Sequence, residues 1–287
     1  MIEEKKTNSA GRIVGSIIKL VLVIAVFVMY MFPFIMIIVN SFKQKRDIVK
    51  TPLAILGEKG NTIENYIKGF EKMNFPQAFA NSALITVISV ILIILGASMC
   101  AYIMVREDWK ANKIVFALMM FSMVIPFQVL MIPEVSIYGN ILNLLNHRGT
   151  LIFMNIGFNV SMGVFMYHGF IKSGIPVSLE EAARLDGCTR VQTFFKIVFP
   201  LLKPTTATLV ILYSMAIWND FLLPSLVLGR KNLYTLPIAT RAFYGTYSTD
   251  LGLIMASLVM TVIPIIILYL VLQKYIIEGV VAGAVKS

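Results

Sequence analysis

The chain has 287 residues, of which 58% are hydrophobic and 14% charged, against about 45–50% and about 25% in ordinary soluble domains. Its apolar residues gather in blocks of membrane-spanning length, which favours one integral membrane domain over one or two soluble ones. The net charge of +10 does not mark a nucleic-acid binder, because Lys and Arg are scattered through the segments between apolar blocks instead of forming one stripe; a membrane-surface role fits them.

Lys5, Lys6, Arg12 and Lys19 precede the first apolar run. That order is similar to a secretory signal. The run Leu20–Val39, however, exceeds the about 7–15 residues of a signal core and lacks a small-residue cleavage site. It reads as a retained first span behind a segment 1–19. A helix needs about 20 mainly apolar residues to cross a bilayer, and six segments meet that length: Leu20–Val39, Ala83–Met104, Ile114–Pro133, Thr150–Ile171, Thr205–Val227 and Leu251–Leu272. The expected fold class is therefore an all-α polytopic membrane protein, with a membrane domain over 20–272 and a tail over 273–287. Six spans put both termini on one side, but Lys and Arg divide almost evenly between the two sets of connections, so charge does not say which side that is.

Between the first two spans, the segment 43–80 has its own Pro, Gly and Asn punctuation. Its Phe70, Met73, Phe75 and Phe79 fit either an interfacial helix or lid, or plain packing. Cys100 and Cys188 form neither a C-x-x-C pair nor a disulfide framework. In the third span, Gln128 and Glu134 flank prolines at 126 and 133, which suggests a kinked helix that turns polar groups inward. In the fourth, Asn155, Asn159, Gly163 and Tyr167 recur at i, i+4 spacing and share one face. Such a stripe can line a path through the membrane, or it can join helices, with Gly163 as the point of close approach. His168 has no second histidine at ligand spacing and reads as an interfacial side chain; no metal site is expected. In the fifth span, Trp218, Asn219 and Asp220 interrupt the apolar run. A carboxylate is costly at mid-membrane, which places Asp220 near one end, in either a gating or a structural hydrogen-bonding role.

The connection over 175–204 has the clearest local chemistry. Ser178 and Glu181 have capping-box spacing and predict a helix start; Asp186 and Gly187 predict its end, because glycine adopts the left-handed conformation there freely. The resulting helix is about 12 Å long, marginal by itself, and Ala182 and Ala183 would let another surface come close. Thr189 and Gln192 repeat the capping-box spacing. A second helix then carries Phe194, Phe195, Ile197 and Val198 until Pro200 and Pro204 stop it. A helix, a glycine turn and a helix result, either as a connector lying on the bilayer or as a docking element. No G-x-x-x-x-G-K-[ST], H-E-x-x-H or G-x-S-x-G string occurs, so no catalytic residues are assigned.

The string Glu181-Ala-Ala-x-x-x-Gly187, followed after nine residues by Ile197-x-Phe-Pro200, closely resembles the EAA loop of importer permeases of the ATP-binding-cassette class. Phe199 stands where most members have Leu. Asp186 before Gly187 resembles the carbohydrate branch, in particular the maltose-type second permease. Four further fragments resemble that family in order: Asn40-Ser-Phe-Lys43, Asn81-Ser82, Trp218-Asn-Asp-Phe221 and Ala282-Gly-Ala-Val-Lys286. The resemblance implies the type I importer permease fold, with a cytoplasmic helix-turn-helix coupling loop in the bacterial cytoplasmic membrane and both termini inside. It further implies Glu181, Ala182, Ala183, Asp186, Gly187, Ile197 and Pro200 as the ATPase-coupling residues, and Gly279, Ala282, Gly283 and Lys286 as a C-terminal ATPase contact. The implied partners are a homologous second permease, two ATPase subunits, an extracellular sugar-binding protein and the lipid bilayer. ATP and Mg would be used by the ATPase, with no cofactor on this chain. Gln128, Asn155, Asn159, Tyr167, Trp218, Asn219 and Asp220 become candidates for lining a sugar path, with amides for hydroxyls and an aromatic ring for the apolar sugar face. The competing class is a proton-coupled secondary transporter using Asp220 or Glu134; no internal repeat of the kind such transporters carry is visible, and the loop would be unexplained.

Overall fold

The structure, a computed structural model, describes residues 9–58, 60–241, 243–244 and 250–284, with side chains described within this range from Ile13 to Val271 and at Gln273. It divides into two compact units, Met1–Glu71 with Phe243–Met260, and Lys72–Ala242 with Thr261–Ser287.

The first unit is built on α1 (Ser9–Ser41), which is longer than the predicted span because Ile13, Ile17 and Ile18 extend the apolar run toward the N-terminus. Its apolar side chains point outward on every side, as expected of a helix solvated by lipid. Its 33 residues span roughly 50 Å at 1.5 Å per residue, so its ends project beyond a hydrocarbon core of about 30 Å. The chain then folds back through α2 (Lys45–Lys50) and α3 (Glu64–Lys72). The fully buried Lys43 ammonium donates to Asn40 Oδ1 at 3.0 Å and to the Thr51 carbonyl at 2.9 Å. Asn65 Nδ2 donates at 2.8 Å to the carbonyls of Ser41 and Lys43, and the Ser41 and Tyr66 hydroxyls meet at 2.6 Å. These bonds tie this part of 43–80 to the end of α1.

The second unit holds α4 (Phe75–Arg106), α5 (Lys110–Ser122), α6 (Phe127–Val135), α7 (Arg148–Gly174), α8 (Val177–Leu185), α9 (Arg190–Thr193), α10 (Phe199–Leu201), α11 (Lys203–Asn219), α12 (Leu222–Val227) and α13 (Leu236–Arg241). It also holds the later part of α14 (Leu251–Ala284). Among the described residues, four helices, α1, α4, α7 and α14, are long and apolar enough to cross a membrane. Two bent pairs raise the number to six: α5 with α6, bent by 97°, and 190–201 with α11, bent by 75°. The predicted third span is therefore broken. Pro126 stands in extended conformation before α6, and a π-helical turn, Ser136–Ile141, follows the helix that contains Pro133; a proline offers no N–H to a regular helix. The predicted fifth span, Thr205–Val227, is broken too. Asp220 is extended, and its Oδ1 accepts from the Leu222 amide at 3.0 Å, which starts α12.

α4 packs along α7, joined by α11, around Ile85, Ile93, Ala97, Leu151, Val164, Ile171, Leu209 and Tyr213. Gly163 permits this approach, since a Cβ there would stand 2.7 Å from Ala97 Cβ and 3.0 Å from the Tyr213 hydroxyl. At the start of α4, Asn81 Nδ2 donates to the carbonyls of Asn232 and Tyr234 at 3.0 and 2.9 Å, and Ser82 Oγ accepts the Leu236 amide at 2.9 Å. α14 runs past the predicted end at Leu272 and takes Gly279, Ala282 and Gly283 into its backbone. The side chains of that stretch, and Lys286 altogether, lie outside the described residues.

Candidate functional site: a clasped loop and a polar cleft

α8 begins two residues earlier than its sequence suggests, where Ser178 would be the N-cap and Leu179 the first helical residue. Pro176 is its N-cap, Val177 its first residue, and no side chain caps it. The predicted Ser178–Glu181 capping box is therefore not formed, because the earlier start makes Ser178 the second and Glu181 the fifth residue of the helix, away from the cap positions. The predicted end is found. Gly187 has φ +81°, its amide donates to the Arg184 carbonyl at 3.0 Å, and the Cys188 amide donates to the Ala183 carbonyl at 2.9 Å. These two bonds form a Schellman termination. The second predicted capping box is also found, with the Gln192 amide on Thr189 Oγ1 at 3.3 Å and the Thr189 amide on Gln192 Oε1 at 2.8 Å.

Pro200 does not stop the second helix. A π-helical turn, Phe194–Val198, precedes it, and the helical path continues to Leu201 before bending into α11; the widened turn accommodates a residue without an N–H. Glu181, Ala182, Asp186, Gly187 and Pro200 are exposed, and Ile197 is half-buried. Ala183 instead faces inward at 4% exposure, so of the two small residues only Ala182 lies on the open face.

The residue that sequence reasoning passed over is Glu180. It is 1% exposed. Its Oε2 accepts from the Tyr102 hydroxyl at 2.7 Å and its Oε1 from Arg106 Nε at 2.7 Å, while Arg106 Nη2 donates to the Ile175 carbonyl at 2.9 Å. Next along the chain, Glu107 pairs with Arg190 of α9, and its carboxylate holds the Arg190 guanidinium above its ordinary pKa. The Tyr102 ring packs on Phe194 at 5.2 Å. Tyr102 and Arg106, four apart on the last turn of α4, share one face; that spacing was the available signal.

The polar candidates of the membrane domain fall into two groups. Gln128 of α6, Asn155 and Asn159 of α7, and Asn219 and Asp220 at the end of α11 line one cleft of about 570 Å³, together with Ser122, Phe127 and Phe158. Asn159 Nδ2 donates to the Asn155 carbonyl at 2.8 Å, and the Phe127 and Phe158 rings meet edge to face at 5.2 Å. Tyr167 and Trp218 are not in this cleft. Tyr167 is fully buried, with its hydroxyl on Thr206 Oγ1 at 2.8 Å. Trp218 donates from Nε1 to the Thr261 carbonyl at 3.1 Å and lies edge-on to Phe79. It lines a separate, apolar cleft of about 510 Å³ formed by α4, α11 and α14. A helix turns successive residues through about 100°, so Trp218 and Asn219 face different neighbours. Glu134 does not line the polar cleft, and His168 stacks on Phe116 at 4.3 Å.

Residues 93–281 match the family described as "Binding-protein-dependent transport system inner membrane component". The chain is 41% identical over 255 residues to a probable starch degradation products transport system permease protein, AmyC, of Thermoanaerobacterium thermosulfurigenes; the match covers 89% of this chain and 91% of the relative. It is 36% identical over 260 residues to the melibiose/raffinose/stachyose import permease protein MelC of Bacillus subtilis (strain 168), covering 89% and 91%. In fold, it is similar to a chain from the crystal structure of a bacterial ABC transporter involved in the import of the acidic polysaccharide alginate. The TM-score is 0.79 at 21% identity, over 95% of this chain and 99% of that one.

Proposed function

Because the chain belongs to the family of inner-membrane components of binding-protein-dependent transport systems, we propose that it forms half of a sugar path and couples that path to ATP hydrolysis on separate subunits. It is the permease subunit of a sugar importer, embedded in the cytoplasmic membrane by several apolar helices. A homologous permease supplies the other half of the path, two ATPase subunits use ATP and Mg, and an extracellular sugar-binding protein delivers the substrate. The coupling loop and both termini lie on the cytoplasmic side.

The observation that carries the coupling role is the two-sidedness of the loop: Glu180 and Ala183 are buried against the chain, while Glu181, Ala182, Asp186 and Gly187 remain open to a partner. The polar cleft suits a sugar. Amides and a carboxylate bond hydroxyls, and the Phe127–Phe158 pair offers an apolar face. The tail residues Gly279, Ala282, Gly283 and Lys286 are assigned to a second contact with the ATPase. The test is to purify the tagged chain with its partners and reconstitute them in vesicles. Sugar uptake driven by ATP and dependent on the loaded binding protein is expected. Uptake by the pure chain driven by a proton gradient would instead establish a secondary transporter.

A further inference from the structure

The coupling loop is joined covalently to α7, through Ile175 and Pro176, and to α11, through Leu202. Its side chains are fastened elsewhere. Arg106 and Glu107, adjacent residues at the end of α4, each hold a different helix of the loop: Arg106 holds Glu180 of α8, and Glu107 holds Arg190 of α9. Tyr102, one turn earlier, touches both helices, by its hydroxyl on Glu180 and its ring on Phe194.

We propose that the end of α4 is the element that carries the loop's displacement into the membrane, with Glu180, Arg106, Glu107 and Arg190 as the positioning residues that make α4 and the loop move as one body. This rests on the coupling role proposed above. Two features support it. The Glu180 carboxylate is buried and binds two partners on α4, so releasing it would strand two charges out of water, and a pair of this kind does not separate readily. In addition, Arg106 spans two points, the Glu180 carboxylate and the Ile175 carbonyl. The planar fork of guanidinium donors can do this and the single ammonium of lysine cannot. α4 also packs along α7 and, through Thr86, Val90 and Ile94, walls the apolar cleft against α11 and α14. A displacement delivered to its end is thus transmitted along the bundle.

The experiment uses the complete complex in vesicles and reads sugars moved per ATP hydrolysed. Wild type must couple; if it does not, the proposed function fails and not this inference. Arg106→Lys keeps the charge and Glu180→Gln keeps the shape, and each is expected to lower the ratio at least tenfold while the ATPase still co-purifies. Glu107→Arg alone should lower it several-fold, and the exchange Glu107→Arg with Arg190→Glu should restore it, which a role in packing alone would not produce. If Arg106→Lys or Glu180→Gln fails to assemble, the exchange and a distance decide. Spin labels at Asp108→Cys and Leu185→Cys, with Cys100 and Cys188 replaced by serine, should keep one separation in the nucleotide-free and ATP-trapped complexes. Full coupling in Arg106→Lys and Glu180→Gln, absence of recovery in the exchange, or a separation that changes with nucleotide would each overturn the proposal.

Discussion

The coupling loop and the polar cleft are made in opposite ways. The loop is specified within some thirty residues of sequence. Its glycine turn and its second capping box arise from neighbours in the chain, whereas its anchorage on α4, and with it the choice of the face left open, is long-range. The cleft has no local code at all: Gln128, Asn155, Asn159, Asn219 and Asp220 come from three regions of sequence and meet because α6, α7 and the break after α11 come together. The proposed roles fit this difference: a short segment proposed to present one fixed surface to a partner gains from stiff local geometry, whereas a cleft proposed to hold a sugar and release it gains from side chains on separate elements that can part.

The contrast is sharpest at the anchor. Arg106→Met leaves Glu180 buried without its cation, which costs about 3–5 kcal/mol. Hydrogen exchange should then show protection lost over 175–204 and kept in α4 and α7; unchanged protection of the loop would make it self-sufficient and remove its dependence on α4. Next in size is Gly163→Val. Its added carbons would enter the 2.7 Å approach to Ala97 at about 1–3 kcal/mol, so the melting temperature of the purified complex should fall. An unaltered melt would mean that the α4–α7 packing is looser than these distances state.

Gly187→Val places a branched residue at φ +81°, at a cost of about 1–2 kcal/mol or more. The membrane domain should stay folded while transport is abolished, because the two loop helices no longer hold their mutual angle. Full stimulation of ATP hydrolysis by loaded binding protein would contradict the loop's role. The smallest effect belongs to the cleft. Asn159→Ala removes a half-buried amide whose own bond lies within its helix; losing one hydrogen bond to a sugar, about 0.5–1.5 kcal/mol, corresponds to roughly two- to tenfold in half-saturation. The melt should barely move. A large fall in stability with unchanged uptake would assign Asn159 to helix joining, as Gly163 and Tyr167 are.

What the sequence determined by itself is what periodicity and local backbone chemistry encode. Runs of about 20 apolar residues mark spans, a positive-φ glycine marks a helix end, and the order of the short family fragments marks the kinship that the relatives bear out. Asn40 and Lys43 close a turn at the end of α1, Asn81 and Ser82 fasten the start of α4, and Trp218 bonds the Thr261 carbonyl, each a task invisible without the fold. Only the tertiary structure decided that Glu180 and not Glu181 is buried, since adjacent glutamates on a helix differ solely in which way they turn, and Arg106 stands on one side. It alone separated Trp218 from Asn219 and Tyr167 from Asn159. Spacing along a helix tells which residues share a face, but what that face meets is set by helices distant in sequence, and a polar group in a membrane takes its role from whatever lies opposite.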